Sequence, residues 1–295
     1  MVVEAEVIRQ EYLRHDKKFP HVWCPGCGNG IVLGSLLRAI HALELPKDDV
    51  VVASGIGCSS RLPTYIDFNT LHTTHGRALT FATGVKLAKP RLKVITVMGD
   101  GDATAIGGNH FIHAARRNIN ITAIIINNNT YGMTGGQYSP TTPYGDKSTT
   151  SLYGHVEHAF SIAELAVTAG ASFVARGTVY HASHLDRMLE QAIAKRGFSV
   201  VEIVSNCHVQ HGRRNKLGGA VKMINSFKES AVPIAKAKKM SPEDMQGKFT
   251  IGVLCDVDKP ISTEEYNRIK QEACKIDDYE ETHKRKETKV KRHEE

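Results

Sequence analysis

Two sets of residues in this 295-residue sequence could bind metal: a pair of hard oxygen donors and a group of cysteines. Asp100 stands in a Gly-Asp-Gly turn after one apolar run, and Asn128 stands in an Asn-Asn-Asn run after the next. Carboxylate and amide oxygens suit Mg²⁺, which usually completes its coordination with water or phosphate oxygens. The backbone N–H groups of Gly101 and Asp102, at the start of a helix, would face the same phosphates. The stretch therefore predicts a magnesium diphosphate site.

The segments around these donors predict a strand, a helix and a second strand. Residues 92–98 and 121–126 are short apolar runs rich in β-branched side chains, and residues 103–118 between them suit a helix. Parallel strands joined by a helix end at the same sheet edge, where open α/β sheets bind ligands. A lone Gly-Asp-Gly is also a common turn, so its context is what favours the cofactor site.

Four of the six cysteines stand in loops that the same sheet edge would gather. Cys24 and Cys27 flank a Pro-Gly turn, Cys58 lies in a glycine-rich loop after a predicted strand, and Cys207 follows another strand. A Cys-x-x-Cys pair also suits a thioredoxin-like redox site, and four thiolates also bind zinc. No strand precedes the pair, and the second close pair typical of zinc is missing. We therefore favour a [4Fe-4S] cluster.

The sequence predicts an α/β fold, a doubly wound parallel sheet with a C-terminal extension. We place the cofactor domain at residues 1–211 and the extension with its charged tail at residues 212–295. Cys255 and Cys274 lie in this polar extension, and we expect them to be inert, the usual fate of an isolated cysteine. The predicted parallel strands, about five in number, lie at residues 50–53, 92–98, 121–126, 171–179 and 198–204, and the extension holds at most a short strand at residues 252–256. The predicted helices include residues 31–43, 77–87, 103–118, 158–169 and 181–195, and a long loop follows residue 137.

Five motifs resemble those of one known family. The motifs CPGCG, GIGCSSR, HTTHGRALTFATGVKLA, GDGDATAIGGNH and NNNTYGMTGGQ are similar to those of the β subunits of 2-oxoacid:ferredoxin oxidoreductases. The likeness is strongest to the 2-oxoglutarate enzymes. It implies a thiamine-diphosphate-binding domain that also holds a [4Fe-4S] cluster.

The resemblance also implies a role for individual residues. The magnesium ligands of the family match Asp100, Asn128 and the main chain of Thr130. Its four cluster ligands match Cys24, Cys27, Cys58 and Cys207. The residues that contact thiamine diphosphate match Ile56, Gly57, Cys58, Ser59, Gly132 and Met133.

Two further residues are candidates for catalysis. His75 would project over the sheet edge where the cofactor is predicted to bind, and it could contact cofactor or substrate there. A helix-capping histidine is the open alternative. Arg61 could bind a substrate carboxylate with two hydrogen bonds, and a surface arginine is the open alternative. Together with His72 and Arg77 they would form a cationic edge suited to the second carboxylate of 2-oxoglutarate.

The resemblance implies oxidative decarboxylation of 2-oxoglutarate with coenzyme A, giving succinyl-CoA and CO₂, with electrons passed through the cluster to ferredoxin. Thiamine also needs a second domain whose Glu activates it, and this chain has no second βαβ array. The resemblance therefore implies an α subunit, in an αβ or (αβ)₂ assembly. The alternatives are pyruvate or another 2-oxoacid as substrate, and a non-oxidative thiamine-dependent decarboxylase.

Charge and hydropathy limit the other functions. The net charge of +7 and pI near 9.0 suit an acidic partner such as ferredoxin, for which residues 213–216 are a candidate surface. No RNA-binding or zinc-finger pattern accompanies the charge, so we expect no nucleic acid. The N-terminus mixes acids and bases, and no apolar run reaches membrane length, so we expect a cytoplasmic protein without a membrane partner.

Overall fold

A mostly parallel, eight-stranded sheet is formed by the residues that this computed structural model describes, 2–16 and 19–275. The strands lie in the order β2-β1-β3-β4-β6-β5-β8-β7, and neighbours are parallel except β5 and β8. Their bounds are β1 (Val50–Ser54), β2 (Asn69–His72), β3 (Lys93–Gly99), β4 (Thr122–Asn127), β5 (Phe173–Thr178), β6 (Ser199–Val204), β7 (Ala231–Pro233) and β8 (Phe249–Asp256).

Helices cover both faces of the sheet, as the predicted doubly wound fold requires. Successive strand residues point to opposite faces, so Ile124 of β4 joins one core and Ile125 joins the other. The first core includes α1 (Val2–Tyr12), α2 (Asn29–Ala42) and α7 (Ala182–Ala194), and the second includes α3 (Ala78–Ala88), α5 (Gly108–Arg116) and α6 (Ile162–Thr168). The remaining α-helices of the described residues are α4 (Asp100–Thr104), α8 (Ala220–Ser230) and α9 (Ile234–Ala237).

The strand order opens a crevice between β1 and β3. The chain leaves β1 toward β2 on one side, then returns through α3 to β3 on the other side of β1. Such a reversal leaves room for a ligand outside the carboxyl ends of the strands. Gly55 follows β1 at this edge and Asp100 follows β3, since Ser54 pairs with Val97.

The predicted helix at residues 103–118 is wrong, because α4 and α5 are separate. The loop of His75 and Gly76 packs where the two helices part. A Cβ at Gly76 would overlap Ile106, and a Cβ at Gly107 would overlap the main-chain oxygen of Asp102. The chain breaks here because only glycine allows this close approach.

Other differences concern the sheet edges and a loop. The short strands β2 and β7 and helix α8 were not predicted, and β8 is longer than the predicted strand at residues 252–256. Helix α6 begins at Ile162 rather than at residue 158, because the backbone N–H of Phe160 donates to Pro140 instead.

The domain boundary after residue 211 stays a prediction, as does the charged tail at residues 280–295, which lies outside the described residues. In the part of the chain that is described, no helix is long and apolar enough to cross a membrane.

A buried carboxylate fixes the end of β4, where the Asn run begins. Glu202 of β6 accepts hydrogen bonds from Asn127 Nδ2 at 2.9 Å and from Arg176 Nε at 2.8 Å. The backbone N–H of Ala163 donates to the same carboxylate at 3.1 Å. The side chains of Arg176 and Glu202 are only 8% and 4% exposed. The pair therefore holds the β4 loop without contacting the crevice.

We expect Arg176→Met to lower the free energy of unfolding by about 3–5 kcal/mol, because it leaves Glu202 charged, buried and unpaired. Denaturant titration of the purified chain measures this value. Arg268→Met is the matched control, because Arg268 is 55% exposed in its pair with Glu265 and should change stability by less than about 1 kcal/mol. Equal effects of the two substitutions would contradict this account of the Glu202 network.

Candidate functional site

A cavity of about 200 Å³ lies at the carboxyl ends of β1, β3 and β4. The loops after these strands form most of its wall, together with the loop after β2. Every residue predicted to contact magnesium or thiamine diphosphate lines it. These residues are Ile56, Gly57, Cys58, Ser59, His75, Asp100, Gly101, Asp102, Asn128, Thr130, Gly132 and Met133. The structure brings them together, and their individual roles stay predictions.

Asp100 is a buried carboxylate, 2% exposed, at the floor of the crevice. Its Oδ2 accepts hydrogen bonds from Ser139 Oγ at 2.5 Å and Thr141 Oγ1 at 2.6 Å. Burial raises the pKa of Asp100. No salt bridge within the described residues involves Asp100, and a buried anion without a counter-charge is costly. The site therefore fits a divalent cation, which would supply the missing charge.

Asn128 and Thr130 lie in a tight turn at the end of β4. The backbone N–H of Thr130 donates to Asn128 Oδ1 at 3.3 Å, and Asn129 between them has φ of 61°. This conformation suits Asn better than most residues. Within the described ranges, no three His, Cys, Asp or Glu side chains converge on one metal position. This result agrees with the predicted magnesium ligands, because only Asp100 is a carboxylate. The other two ligands are the amide oxygen of Asn128 and a main-chain oxygen of Thr130.

Asp102 and His75 form a hydrogen-bonded pair in the cavity wall. His75 Nδ1 lies 2.7 Å from Asp102 Oδ1, which also accepts the backbone N–H of Gly76 at 2.6 Å. Burial raises the pKa of Asp102. The sequence predicted a role for the backbone N–H of Asp102, but it gave no sign of this side-chain partner. Tyr131, which was also not predicted, packs its ring edge-on to His75 with centroids 6.0 Å apart.

The Cys24–Cys27 segment is a tight turn, and its two thiols are close enough to interact electrostatically. The N–H of Cys27 donates to the carbonyl of Cys24 at 2.9 Å, and Gly26 has φ of 81°. Pro followed by glycine with positive φ is typical of a type II turn. Gly26 also approaches α8 so closely that a Cβ there would lie 2.5 Å from Ala220 Cβ. The Cys-Pro-Gly-Cys motif therefore depends on glycine.

Two side chains that the sequence analysis missed join the cysteine loops. Asn206, which is fully buried, accepts the N–H of Gly28 and donates to the carbonyl of Gly26, each at 3.0 Å. It thereby ties the Cys207 loop to the Cys24–Cys27 turn. Trp23 Nε1 donates to the carbonyl of Cys58 at 2.6 Å and ties the third loop to the same turn.

The four thiols are close enough to affect one another electrostatically. Burial raises the pKa of Cys27 to about 11, with smaller contributions from Cys207 and Cys24. Burial likewise raises the pKa of Cys58 to about 11, and Cys27, Cys207 and Cys24 add to the rise. Without a bound metal these two thiols are protonated at neutral pH. Iron would favour their thiolates, as metal binding to cysteine releases protons.

The surroundings of the thiols fit an iron–sulfur cluster. Cys27 Sγ accepts a hydrogen bond from the backbone of Asn29. The side-chain amide of Asn29 is buried and has no partner among the described residues, which suits a neighbour that accepts hydrogen bonds. Four irons occupy more space than one ion, so a cluster is compatible with the absence of a single-ion site among the described residues.

Cys255 and Cys274 stay apart from these loops, since Cys255 lies in the antiparallel strand β8 and Cys274 is exposed near the end of the described residues.

The predicted cationic edge is only partly assembled. Arg61 is exposed and near Cys58, but it is not among the residues that line the cavity. Arg77 donates to the main chain of Gly76 and Ile106, and His75 alone of the four lines the wall.

Comparisons with known proteins agree with this geometry. Residues 53–203 match the family model of the thiamine pyrophosphate enzyme C-terminal TPP-binding domain. The chain is 49% identical over 259 residues to the 2-oxoglutarate synthase subunit KorB of Methanocaldococcus jannaschii, a match that covers 88% of this chain and 96% of that protein. It is 59% identical over 197 residues to KorB of Archaeoglobus fulgidus, which covers 67% of this chain and 73% of that one.

A solved structure shows the same architecture. It is the 2-oxoglutarate:ferredoxin oxidoreductase from Magnetococcus marinus with 2-oxoglutarate, coenzyme A and succinyl-CoA bound. The TM-score is 0.79 at 31% identity, and the match covers 90% of each chain. These findings confirm the predicted fold and the predicted thiamine-diphosphate domain. The chain belongs to the KorB family, the β subunits of 2-oxoglutarate:ferredoxin oxidoreductases.

Proposed function

We propose that the chain, together with an α subunit in the cytoplasm, oxidatively decarboxylates 2-oxoglutarate to succinyl-CoA and CO₂ and passes the electrons to ferredoxin. The observation that carries the proposal is the double position of Cys58. It lines the cavity and belongs to the group of four thiols. A cofactor in the cavity and a cluster on the thiols would therefore be immediate neighbours.

The residues of this chain would hold both cofactors. Asp100, Asn128 and the main chain of Thr130 would bind Mg²⁺, and the N–H groups of Gly101 and Asp102 would face the diphosphate. The loop from Ile56 to Ser59, with Gly132 and Met133, would contact the rest of the thiamine. When bound, thiamine diphosphate supplies an electron sink for 2-oxoacid decarboxylation, and a [4Fe-4S] cluster held by Cys24, Cys27, Cys58 and Cys207 supplies one-electron transfer.

Gly132 separates the two cofactor positions. A Cβ there would lie 3.3 Å from Cys207 Sγ and 3.7 Å from Cys58 Sγ, and Gly132 also lines the cavity. Only backbone therefore stands at this point between cavity and thiols. This arrangement favours an oxidative enzyme, because a non-oxidative decarboxylase or a zinc-stabilised protein has no use for a redox centre beside the cavity.

An apolar surface lies on the loop between β4 and α6, whose Ser139 and Thr141 donate hydrogen bonds to Asp100. Backbone hydrogen bonds within this loop run from Gly145 N–H to His155 O and from Phe160 N–H to Pro140 O, each at 2.7 Å. Five large side chains on it are 52–100% exposed: Tyr144, Leu152, Tyr153, Val156 and Phe160. Large exposed apolar surfaces mark interaction sites, and this single loop carries five such side chains, so we assign it to the α subunit.

Basic residues follow Cys207 in the chain, and we propose that they bind ferredoxin. Arg213 and Lys216 are exposed, and the N–H of Gly212 donates to the carbonyl of Cys207 at 2.9 Å. Complementary charge at this position would speed the encounter with an acidic electron carrier.

We expect Asp100→Ala to lose thiamine diphosphate when magnesium is limiting, since it removes the only carboxylate of the predicted site. The apparent affinity should fall by more than about a hundredfold, because even outer-shell partners of a metal contribute about 10–100-fold. Retention is measured as thiamine content after gel filtration. Asp67→Ala, at an exposed carboxylate paired with Lys47, is the control and should retain the cofactor. Full retention by Asp100→Ala would contradict the magnesium assignment.

We expect single Cys→Ser changes at positions 24, 27, 58 and 207 to remove the brown colour and most of the iron, whereas Cys255→Ser and Cys274→Ser keep both. The measurement is iron and sulfide content with the visible spectrum after anaerobic purification. Trp23, the only tryptophan, lies against Cys58 and gives a second signal, because a cluster quenches its fluorescence. A colourless protein with one zinc would show that the cluster assignment is wrong.

We expect kcat/KM for 2-oxoglutarate to exceed that for pyruvate in the α–β complex, with coenzyme A present and a ferredoxin or viologen as acceptor. The physical reason is the second carboxylate of 2-oxoglutarate, which nearby cations such as Arg61 would bind. A higher value for pyruvate would overturn the choice of substrate. It would leave the thiamine and cluster assignments in place.

A further inference from the structure

The proposed function uses the main chain of Asp102, but it uses neither the carboxylate of Asp102 nor the imidazole of His75, which pair in the cavity wall. Only Nδ1 of His75 is engaged, at 2.7 Å from Asp102 Oδ1. The other ring nitrogen, Nε2, has no hydrogen-bond partner among the described residues. The side chain of Asp102 is 1% exposed and that of His75 is 37% exposed, so the carboxylate lies behind the imidazole. A histidine held this way presents one free nitrogen.

The surrounding backbone is shaped to place this carboxylate. Oδ1 of Asp102 accepts the N–H of Gly76 at 2.6 Å and that of Ile56 at 3.3 Å, from the loops after β2 and β1. A Cβ at Gly55 would overlap the Asp102 carboxylate, so only glycine admits it. Two loops therefore converge on Asp102, and the orientation of His75 follows from them.

His75 is also the best proton acceptor that this chain offers in the cavity. Asp100 is bonded by Ser139 and Thr141 and is assigned to magnesium, and Cys58 is assigned to the cluster. Tyr131 Oη donates its hydrogen to the carbonyl of Gly101 at 3.3 Å, so this hydroxyl is already engaged as a donor. Histidine is the side chain that enzymes use most often as a general base.

We propose that His75 accepts the thiol proton of coenzyme A during acyl transfer, and that Asp102 is the positioning residue that orients it. This inference rests on the proposed function. Of the substrates in that reaction, the thiol is the one that must lose a proton in order to attack. The S–H bond breaks and the proton moves to Nε2, while the sulfur electron pair forms the bond to the acyl carbon. The bond that joined this carbon to the cofactor would break, and its electron pair would stay with the cofactor. The two electrons given up by that carbon leave for ferredoxin, and the Asp102 carboxylate stabilises the imidazolium.

The test separates the two halves of the reaction in the α–β complex by stopped-flow absorbance. Addition of 2-oxoglutarate without coenzyme A should reduce the cluster equally in the wild type and in His75→Gln. Addition of coenzyme A should then give a second phase that is about 10²–10⁴-fold slower in His75→Gln. His113→Gln, at a histidine on α5 away from the cavity, is the control and should behave as wild type.

The pH dependence gives a readout that a structural role would not produce. Because glutamine cannot take the proton, the second phase in His75→Gln should rise about tenfold per pH unit until the thiol ionises near pH 8.5. The titratable groups that face His75 are Asp102 and Tyr131.

For Asp102→Asn we expect the rate of the second phase to fall, but by less than in His75→Gln, and the first phase to keep its rate. ¹⁵N-histidine NMR of the complex should show His75 as a single Nδ1–H tautomer in the wild type and a mixture in Asp102→Asn.

The outcomes are distinguishable. A wild-type complex whose cluster is not reduced by any 2-oxoacid would contradict the proposed function and this inference with it. Normal reduction in the wild type with an unchanged second phase in His75→Gln would contradict this inference alone. Loss of the first phase, or of thiamine content, in both His75→Gln and Asp102→Asn would also overturn it, because His75 would then be a cofactor ligand.

Discussion

Both halves of the site depend on the parallel pairing of β1, β3, β4 and β6. Because these neighbours run in the same direction, the loops that follow them leave the sheet at one edge. Those loops carry Cys58, Asp100, Asn128 and Cys207. The antiparallel strand β8 carries Cys255 away from this edge. The register is fixed by burial on both faces, since a slip of one residue would exchange the side chains of the two cores.

Glycine and buried polar groups provide the remaining precision. Gly132 allows the backbone to pass between the cavity and two thiols, and Gly55 admits the Asp102 carboxylate. Asn206 and Glu202 are buried polar residues whose hydrogen bonds join segments far apart in sequence. A buried polar group that lost such a partner would cost about 1–3 kcal/mol, so each contact also holds its loop in place.

The residues with strong local signals were predictable from the sequence, and their distant partners were not. Asp100 and Asn128 stand in turns after apolar runs, and Cys24 and Cys27 flank a Pro-Gly turn, so residue type and spacing sufficed to bring them to one edge. Ser139 reaches Asp100 across 39 positions, and Asn206 reaches Gly28 across 178. Serine and asparagine are too common in loops for their type to reveal such contacts.

The errors in the predicted elements have similar causes. The break between α4 and α5 had a local signal in Gly107 and Gly108, but its reason is the packing of Gly76, which no local pattern reveals. Strand β2 is half exposed and lacks apolar alternation, so hydrophobic periodicity could not find it.

We propose that one sheet edge holds a thiamine site and a redox cluster side by side. The most direct measurement is a crystal structure of the anaerobically purified α–β complex, with anomalous diffraction data recorded at the iron absorption edge. We predict an iron peak enclosed by Cys24, Cys27, Cys58 and Cys207, next to Gly132, with thiamine diphosphate in the cavity above Asp100. A peak at the zinc edge instead, or an iron peak remote from these cysteines, would contradict the account.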